Sequence, residues 1–220
     1  MARASGGWDI RGEILTREEA QALLRSCNKG ATGDRNRAFL AVLWRGGLRT
    51  FEALALNVAD LDRDRGVVYV RRGKGGKPDH PKDRWVGLDD HAFALIEVWL
   101  EKRRAHGLGS KHRVFLTLQG ASLSARYCRD MVKRVAARAG IRRRVHLHGL
   151  RHAHAVEQVR EGATLPEVQK QLGHESIATT NTYLAHVTPE DLAARARARP
   201  GWSDDDETSS ASRPAGSASA

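Results

Sequence analysis

The feature that most constrains this chain is one change of hydrophobic period, set between two long helical stretches. Thr16, with Glu19 three residues on, forms a capping box, and Ala20, Leu23 and Leu24 continue a helical stripe to about Cys27. A second helix is expected from Asp34 to about Arg45, with Phe39, Leu40, Leu43 and Trp44 inward and Gly46-Gly47 as its stop. Thr50 is expected to cap a third, short helix through Leu56. The pattern then shifts. Val67-Val68-Tyr69-Val70 and Arg84-Trp85-Val86 are β-rich runs, joined through the glycine-rich Gly73-Lys74-Gly75-Gly76-Lys77-Pro78. Helical patterns resume at Asp89–Arg104, Leu123–Ala139, His148–Glu161, Leu165–Leu172, roughly Ile177–Leu184, and Pro189–Arg199. No internal repeat is present. The expectation is an α+β, mostly helical domain with one small antiparallel β-sheet over residues 14–200. Residues 1–13 read as a flexible arm. Residues 201–220 are acidic and rich in Ser and Ala, too poor in apolar side chains to fold, and read as a disordered tail.

Charge narrows the partners. Of the 220 residues, 37 are Lys or Arg and 26 are Asp or Glu, for a net charge of +11. Residues 201–220 hold Asp204, Asp205, Asp206 and Glu207 against Arg213, a net of −3, so residues 1–200 carry +14. A body this basic suits a polyanion, because Lys and Arg release counterions when they meet phosphates. Charge alone also fits a ribosomal protein or a merely solvated surface. No apolar run approaches the roughly 20 residues needed to span a bilayer. The start, Met1 to Glu13, lacks the apolar stretch of a signal peptide. Cys27 and Cys128 are the only cysteines, which excludes a disulfide framework and a cysteine-based zinc knuckle.

Four segments carry candidate chemistry. In Gly47-Leu48-Arg49-Thr50-Phe51-Glu52, the arginine precedes a helix start, where outward N–H groups favour phosphate. Alone it reads equally as a surface arginine. Lys74 lies in the glycine-rich connection. The Gly-x-x-x-x-Gly-Lys-Ser/Thr pattern is missing, so nucleotide binding is not expected, but a lysine on such a loop can swing in to donate a proton. In Val145-His146-Leu147-His148-Gly149-Leu150-Arg151-His152-Ala153-His154, His148 and Arg151 share a helix face. His148 and His152 are four apart, yet no glutamate lies between them as in His-Glu-x-x-His, so no metal is assigned. His146, His152 and His154 read as core or surface residues. The fourth segment is Leu172-Gly173-His174-Glu175-Ser176-Ile177-Ala178-Thr179-Thr180-Asn181-Thr182-Tyr183, in which Tyr183 alone reads as a core tyrosine with its hydroxyl satisfied.

Taken together, Arg49, Lys74, His148-x-x-Arg151, His174 and Tyr183 follow the order and spacing of the tyrosine recombinase (phage integrase) family, and the chain resembles that family's catalytic domain from Thr16 to about His186. Gly-Leu-Arg-x-x-Glu, Gly-Lys-Gly-x-Lys, His-x-Leu-Arg-His and Leu-Gly-His-x-x-x-x-Thr-Thr-x-x-Tyr all recur there. One departure is Ala153, where members often carry Ser or Thr.

The resemblance implies a site-specific recombinase that cuts and rejoins double-stranded DNA through a covalent 3′-phosphotyrosyl intermediate, without metal or other cofactor. Tyr183 would be the nucleophile. Arg49 and Arg151 would hold the non-bridging oxygens, taking the part Mg²⁺ has in other phosphoryl transfers. Lys74 would protonate the departing 5′ oxygen, His148 would act as general base or phosphate donor, and His174 would donate another hydrogen bond. Lys77, Lys133, Arg134, Arg138, Arg142, Arg143 and Arg144 are expected to contact the DNA backbone, setting register without reading sequence; an ordinary solvated basic face explains them equally. The family builds homo-tetramers on paired DNA sites, often through a C-terminal helix docked on a neighbour. Leu192 is the only large apolar residue between Pro189 and Arg199, a thin anchor for that. The resemblance also implies a cytoplasmic, nucleoid-associated protein without membrane contact. About 15 residues precede the first helix, whereas most members carry an N-terminal DNA-gripping domain. An excised domain, a natural single-domain member and a relic recruited as a DNA-binding regulator all fit. The intact catalytic set favours an active enzyme. A type IB topoisomerase shares the active-site logic, but the Gly-His to Tyr spacing is more similar to the recombinases.

Overall fold

Helix α1 (Arg17–Arg25) begins as its capping box dictates: Thr16 Oγ1 accepts from the Glu19 amide at 3.2 Å, and the Glu19 carboxylate accepts from the Thr16 amide at 2.8 Å. The computed structural model describes residues 14–71, 83–173 and 180–198; the expected arm, tail and glycine-rich connection fall outside them. Helix α2 (Ala31–Arg45) starts three residues before the expected Asp34. Its first turn is tight against the preceding loop, since a Cβ on Gly33 would lie 1.7 Å from the Asn28 carbonyl oxygen. Phe39, Leu40, Leu43 and Trp44 are all buried, as their spacing predicted, and so is most of the rest of the helix. Its second half, Ala38–Trp44, is apolar all round, as a segment in the middle of a core is. α2 indeed packs most extensively on α4 (Asp90–Ala105) and α6 (Leu147–Glu161).

Helix α3 (Thr50–Ala55) places Arg49, rather than Thr50, at the N-cap. The sheet that follows has order β1-β2-β3, all antiparallel, from Leu61–Asp62, Val67–Val70 and Arg84–Gly87. The two-residue β1 was not expected. Val68 opposes Val86 and both are buried with Val70, while Tyr69 opposes Trp85 on the other face with ring centroids 4.8 Å apart. This period-2 alternation leaves one face on the core and one toward water. The outer edge of β3 is covered by α7 (Leu165–Leu172): the Gly87 amide donates to Gln171 Oε1 at 3.0 Å, and Gln171 Nε2 donates to the Gly87 carbonyl at 2.8 Å. A side-chain amide thus takes the place of a fourth strand and removes an open edge.

Helix α5 (Ala125–Arg138) is capped by Ser124, and α6 and α7 end on Gly162 and Gly173, both left-handed. Within the helix expected near Ile177–Leu184, the described residues begin with helical Thr180 and Asn181 and continue as a 3₁₀ turn, Thr182–His186, that buries Tyr183. With Ala155, Val156, Val159, Val168 and Leu172, Tyr183 forms a small cluster separate from the main core. The chain divides into two units, one ending at Val187 and one starting at Thr188. In the second, α8 (Pro189–Arg197) begins with a capping box from Thr188 and Asp191. No helix among the described residues is long and apolar enough to cross a membrane.

Candidate active site

The site is organised around one buried carboxylate. Glu52, in the first turn of α3, is 5 % exposed. Its oxygens accept a two-pronged pair from Arg84 on β3, at 2.9 and 3.0 Å, and a bond from Arg49 Nη1 at 3.1 Å. The Arg49 amide adds a fourth, at 2.8 Å. Burial alone would raise the Glu52 carboxyl; the Arg84 fork, the Arg49 amide and the nearby Arg151 cation hold it below the usual carboxylate range. Sequence reasoning quoted Glu52 only as part of a motif and Arg84 only as a strand residue. Neither showed its part, because the pairing joins residues 32 apart across two elements.

Arg151, one turn into α6, is 1 % exposed. It donates from Nη1 to the Gly47 carbonyl at 2.5 Å and from Nη2 to the Leu172 carbonyl at 2.7 Å, and Nη1 lies 3.8 Å from Glu52. Its Nε has no hydrogen-bond partner among the described residues. Burial, and then the neighbouring Arg49 cation, push its guanidinium down to about 9, so it stays charged at neutral pH. Arg49 closes the ring by reaching the Gly173 carbonyl at 3.4 Å. Two arginines that sequence motifs assigned to one phosphate therefore meet at the same carboxylate, with a third beside them. The turn that makes this possible is Gly47, at φ 64°. Buried His154 packs against it.

On the exposed side of α6 lies His148, its imidazole lowered in proton affinity by partial burial and by Arg151 and Arg49. Its ring meets that of His152 edge-on, with centroids 4.3 Å apart. His152 Nδ1 in turn lies 3.0 Å from the Tyr183 hydroxyl. Tyr183 is 1 % exposed. Burial raises its phenol, against the pull of Arg151 and Arg49. His152, read from sequence as a core or surface residue, is half-buried and in contact with the candidate nucleophile. A separation of 31 residues hides the contact; only the repeated histidines at helical spacing hinted at it.

Arg49, His148, Arg151 and Tyr183 are thus brought together. Lys74, Lys77 and His174 lie outside the described residues. The basic residues on α5 and after it differ among themselves. Lys133 is exposed and lies 3.9 Å from Asp130, Arg134 lies over the Tyr127 ring, and Arg138 donates to the Ser26 carbonyl at 3.0 Å. Arg142 and Arg144 are exposed, but Arg143 is turned inward, paired with Glu19 and donating to the Ile14 carbonyl at 2.7 Å.

Comparison with known proteins agrees with this geometry. Residues 13–190 match the model of the phage integrase family. The chain is 36 % identical over 191 residues to tyrosine recombinase XerC of Xanthomonas axonopodis pv. citri (strain 306), covering 85 % of this chain and 60 % of that protein. It is 32 % identical over 201 residues to tyrosine recombinase XerD of Bifidobacterium longum (strain NCC 2705), covering 86 % and 63 %. The chain therefore spans about three-fifths of the length of these relatives. Among solved structures, XerA recombinase superposes with a TM-score of 0.71 at 27 % identity, over 86 % of this chain and 64 % of that one. XerH site-specific recombinase bound to palindromic difH substrate, a post-cleavage complex, gives 0.68 at 27 %, over 85 % and 53 %. A fold of helices around a small antiparallel sheet, a carboxylate gathering three arginines and a family match across nearly all of the described residues lead to one conclusion: this chain belongs to the phage integrase family, the tyrosine recombinases.

Proposed function

We propose that the chain is a site-specific DNA recombinase that exchanges strands through a phosphotyrosyl link. The observation that carries this reading is the meeting of Arg49 and Arg151 at Glu52, with Tyr183 in the same neighbourhood. Two fixed guanidiniums suit the two non-bridging oxygens of a phosphodiester, and they stabilise the charge that builds as phosphorus becomes five-coordinate. Tyr183 Oη forms the new bond to phosphorus, and the bond to the 5′ oxygen breaks. Lys74 delivers a proton to that oxygen. His148 and His174 donate to the phosphate. The covalent step stores the phosphodiester bond, so resealing needs no nucleotide. Duplex DNA as partner is supported by the relatives' names and by the DNA-bound XerH neighbour. Lys77, Lys133, Arg134, Arg138, Arg142 and Arg144 would lie along its backbone, and four copies would assemble on two sites.

A nicked duplex library with a randomised central segment tests the reading. Cleavage beside the nick releases a short fragment and traps the protein on DNA. The wild-type chain is expected to yield a covalent band whose sequenced DNA converges on one site, and Tyr183→Phe none. A wild-type chain that yields no band from the library overturns the reading. Relaxation of plasmids lacking the captured site would instead assign a topoisomerase.

A further inference from the structure

The proton on Tyr183 must go somewhere when Oη attacks. The family resemblance makes His148 either that base or a donor to the phosphate. The geometry points elsewhere, and this inference rests on the recombinase reading above. We propose that His152 is a catalytic residue, the base that takes the Tyr183 proton through Nδ1, leaving His148 to the phosphate.

The two residues differ in what they touch. His152 Nδ1 lies 3.0 Å from Tyr183 Oη, the reacting atom itself, which is the reach a general base needs. His148 is solvent-exposed, on the side open to an arriving phosphate, and meets His152 ring to ring. His148, Arg151 and His152 lie within two turns' reach on α6, so one rigid helix carries the phosphate clamp and the base together. The tyrosine ring is fixed as well: it is 5.7 Å from the His152 ring by centroid and packed among Ala155, Val156, Val159, Val168 and Leu172.

The resting protonation states fit the role. Burial, then His148 and Arg151, bring the His152 imidazole down to about 4, so at neutral pH it is uncharged and holds a lone pair. Burial raises Tyr183, which keeps its proton until substrate is present. The resting contact is then a phenol O–H donating to Nδ1, with the imidazole proton on Nε2. A DNA phosphate seated between Arg49 and Arg151 offsets Arg151, one of the groups that lower His152, and so raises its proton affinity, while the burial that lowers it most remains. In the forward step the Oη–phosphorus bond forms, the proton passes from Oη to Nδ1, the phosphorus–O5′ bond breaks, and O5′ takes a proton from Lys74. Resealing reverses each transfer, with the His152 imidazolium returning its proton to the departing tyrosine.

The test uses single-turnover cleavage of the nicked duplex captured in the library experiment, with the full chain as wild type, His152→Ala and His152→Gln. Thermal melting and non-covalent DNA affinity are measured alongside. His152→Ala is expected to slow covalent adduct formation 10²–10³-fold, of the order general-base removal gives, and added imidazole is expected to restore at least tenfold. His152→Gln, which can accept the tyrosine's hydrogen bond but not hold its proton, is expected to stay at least 50-fold slow with melting and affinity unchanged. A His152→Gln rate within threefold of wild type reduces His152 to a positioning residue and overturns the proposal. So does a folded His152→Ala protein that is unimpaired, faster than wild type, or deaf to imidazole. If His152→Ala does not fold, the glutamine variant decides alone. Absence of any wild-type adduct would instead bring down the recombinase reading, and this inference with it.

Discussion

Gly47 turns the chain between α2 and α3 at φ 64°, and a Cβ there would lie 2.5 Å from His154 Cδ2 and 2.8 Å from Leu172 Cδ2. Both the backbone and the space therefore demand glycine. Gly47→Ala is expected to cost on the order of 2–4 kcal/mol, from left-handed strain plus overpacking, and to lower activity further by moving the carbonyl that holds Arg151; urea unfolding read beside single-turnover cleavage checks both. His154, beneath that turn, is 3 % exposed and its Nε2 has no partner among the described residues. Burial pushes its imidazole down to about 3. Between pH 6.5 and about 3 the unfolded chain binds a proton that the fold refuses, so stability falls as pH falls through that window. His154→Leu is expected to flatten the decline between pH 6 and 4.5 by roughly 1 kcal/mol per pH unit, measured by urea unfolding at several pH values. At this scale the sequence was most informative where motif spacing singles out residues, as for Arg49, His148, Arg151 and Tyr183, which the fold brings together. It was silent where a residue acts through a distant partner. Glu52, Arg84 and His152 carry ordinary residue types, and only the fold reveals what each one faces.

Between elements, the joint that matters most is β3 against α7. Arg84 leaves β3 to fork onto Glu52 while its Nε donates to the Gln171 carbonyl at 3.1 Å, and Gln171 returns two bonds to Gly87. The strand that bears Arg84 is thereby locked to the helix whose last carbonyl holds Arg151. Gln171→Ala is expected to cost about 1–2 kcal/mol and to speed amide exchange at Gly87 more than tenfold, while Val68, paired inside the sheet, changes little; exchange measured by NMR separates the two. The elements themselves were largely legible. The shift from helical to alternating period placed β2 and β3, and the Thr16–Glu19 capping box placed α1. Three features were not. A two-residue β1 is too short to show a period. The start of α2 passes through Ala31, Thr32 and Gly33, a weak helical opening that is fixed by packing on Asn28. The 3₁₀ turn at Thr182–His186 follows helical Thr180 and Asn181, and no residue type in it marks the change to tighter winding.

Over the whole molecule, the +14 carried by residues 1–200 separates into arginines that build the protein and arginines left to the solvent. Arg143 belongs to the first kind, paired with Glu19, whereas Arg142 and Arg144 are exposed. Arg142→Ala and Arg144→Ala are each expected to lower the slope of log affinity against log salt by about one unit, and Arg143→Ala to leave the slope and lower the melting temperature; fluorescence anisotropy on the captured duplex across a salt series, with melts in parallel, distinguishes them. Sequence could count the charges but not tell these neighbours apart, because pairing with α1 depends on how the chain returns to it. That return has a consequence in time. The site's bonds join residues 32, 104 and 124 positions apart, and Tyr183, the proposed nucleophile, follows Arg49, His148 and Arg151 in chain order. Contacts this distant form only after the intervening chain has collapsed. A growing chain would carry Arg49 and Arg151 before Tyr183, and would lack the tyrosine until nearly the whole described domain had been made. On the reading proposed above, strand cleavage would therefore require a finished fold, because no partly built chain holds the arginines and the tyrosine in one place.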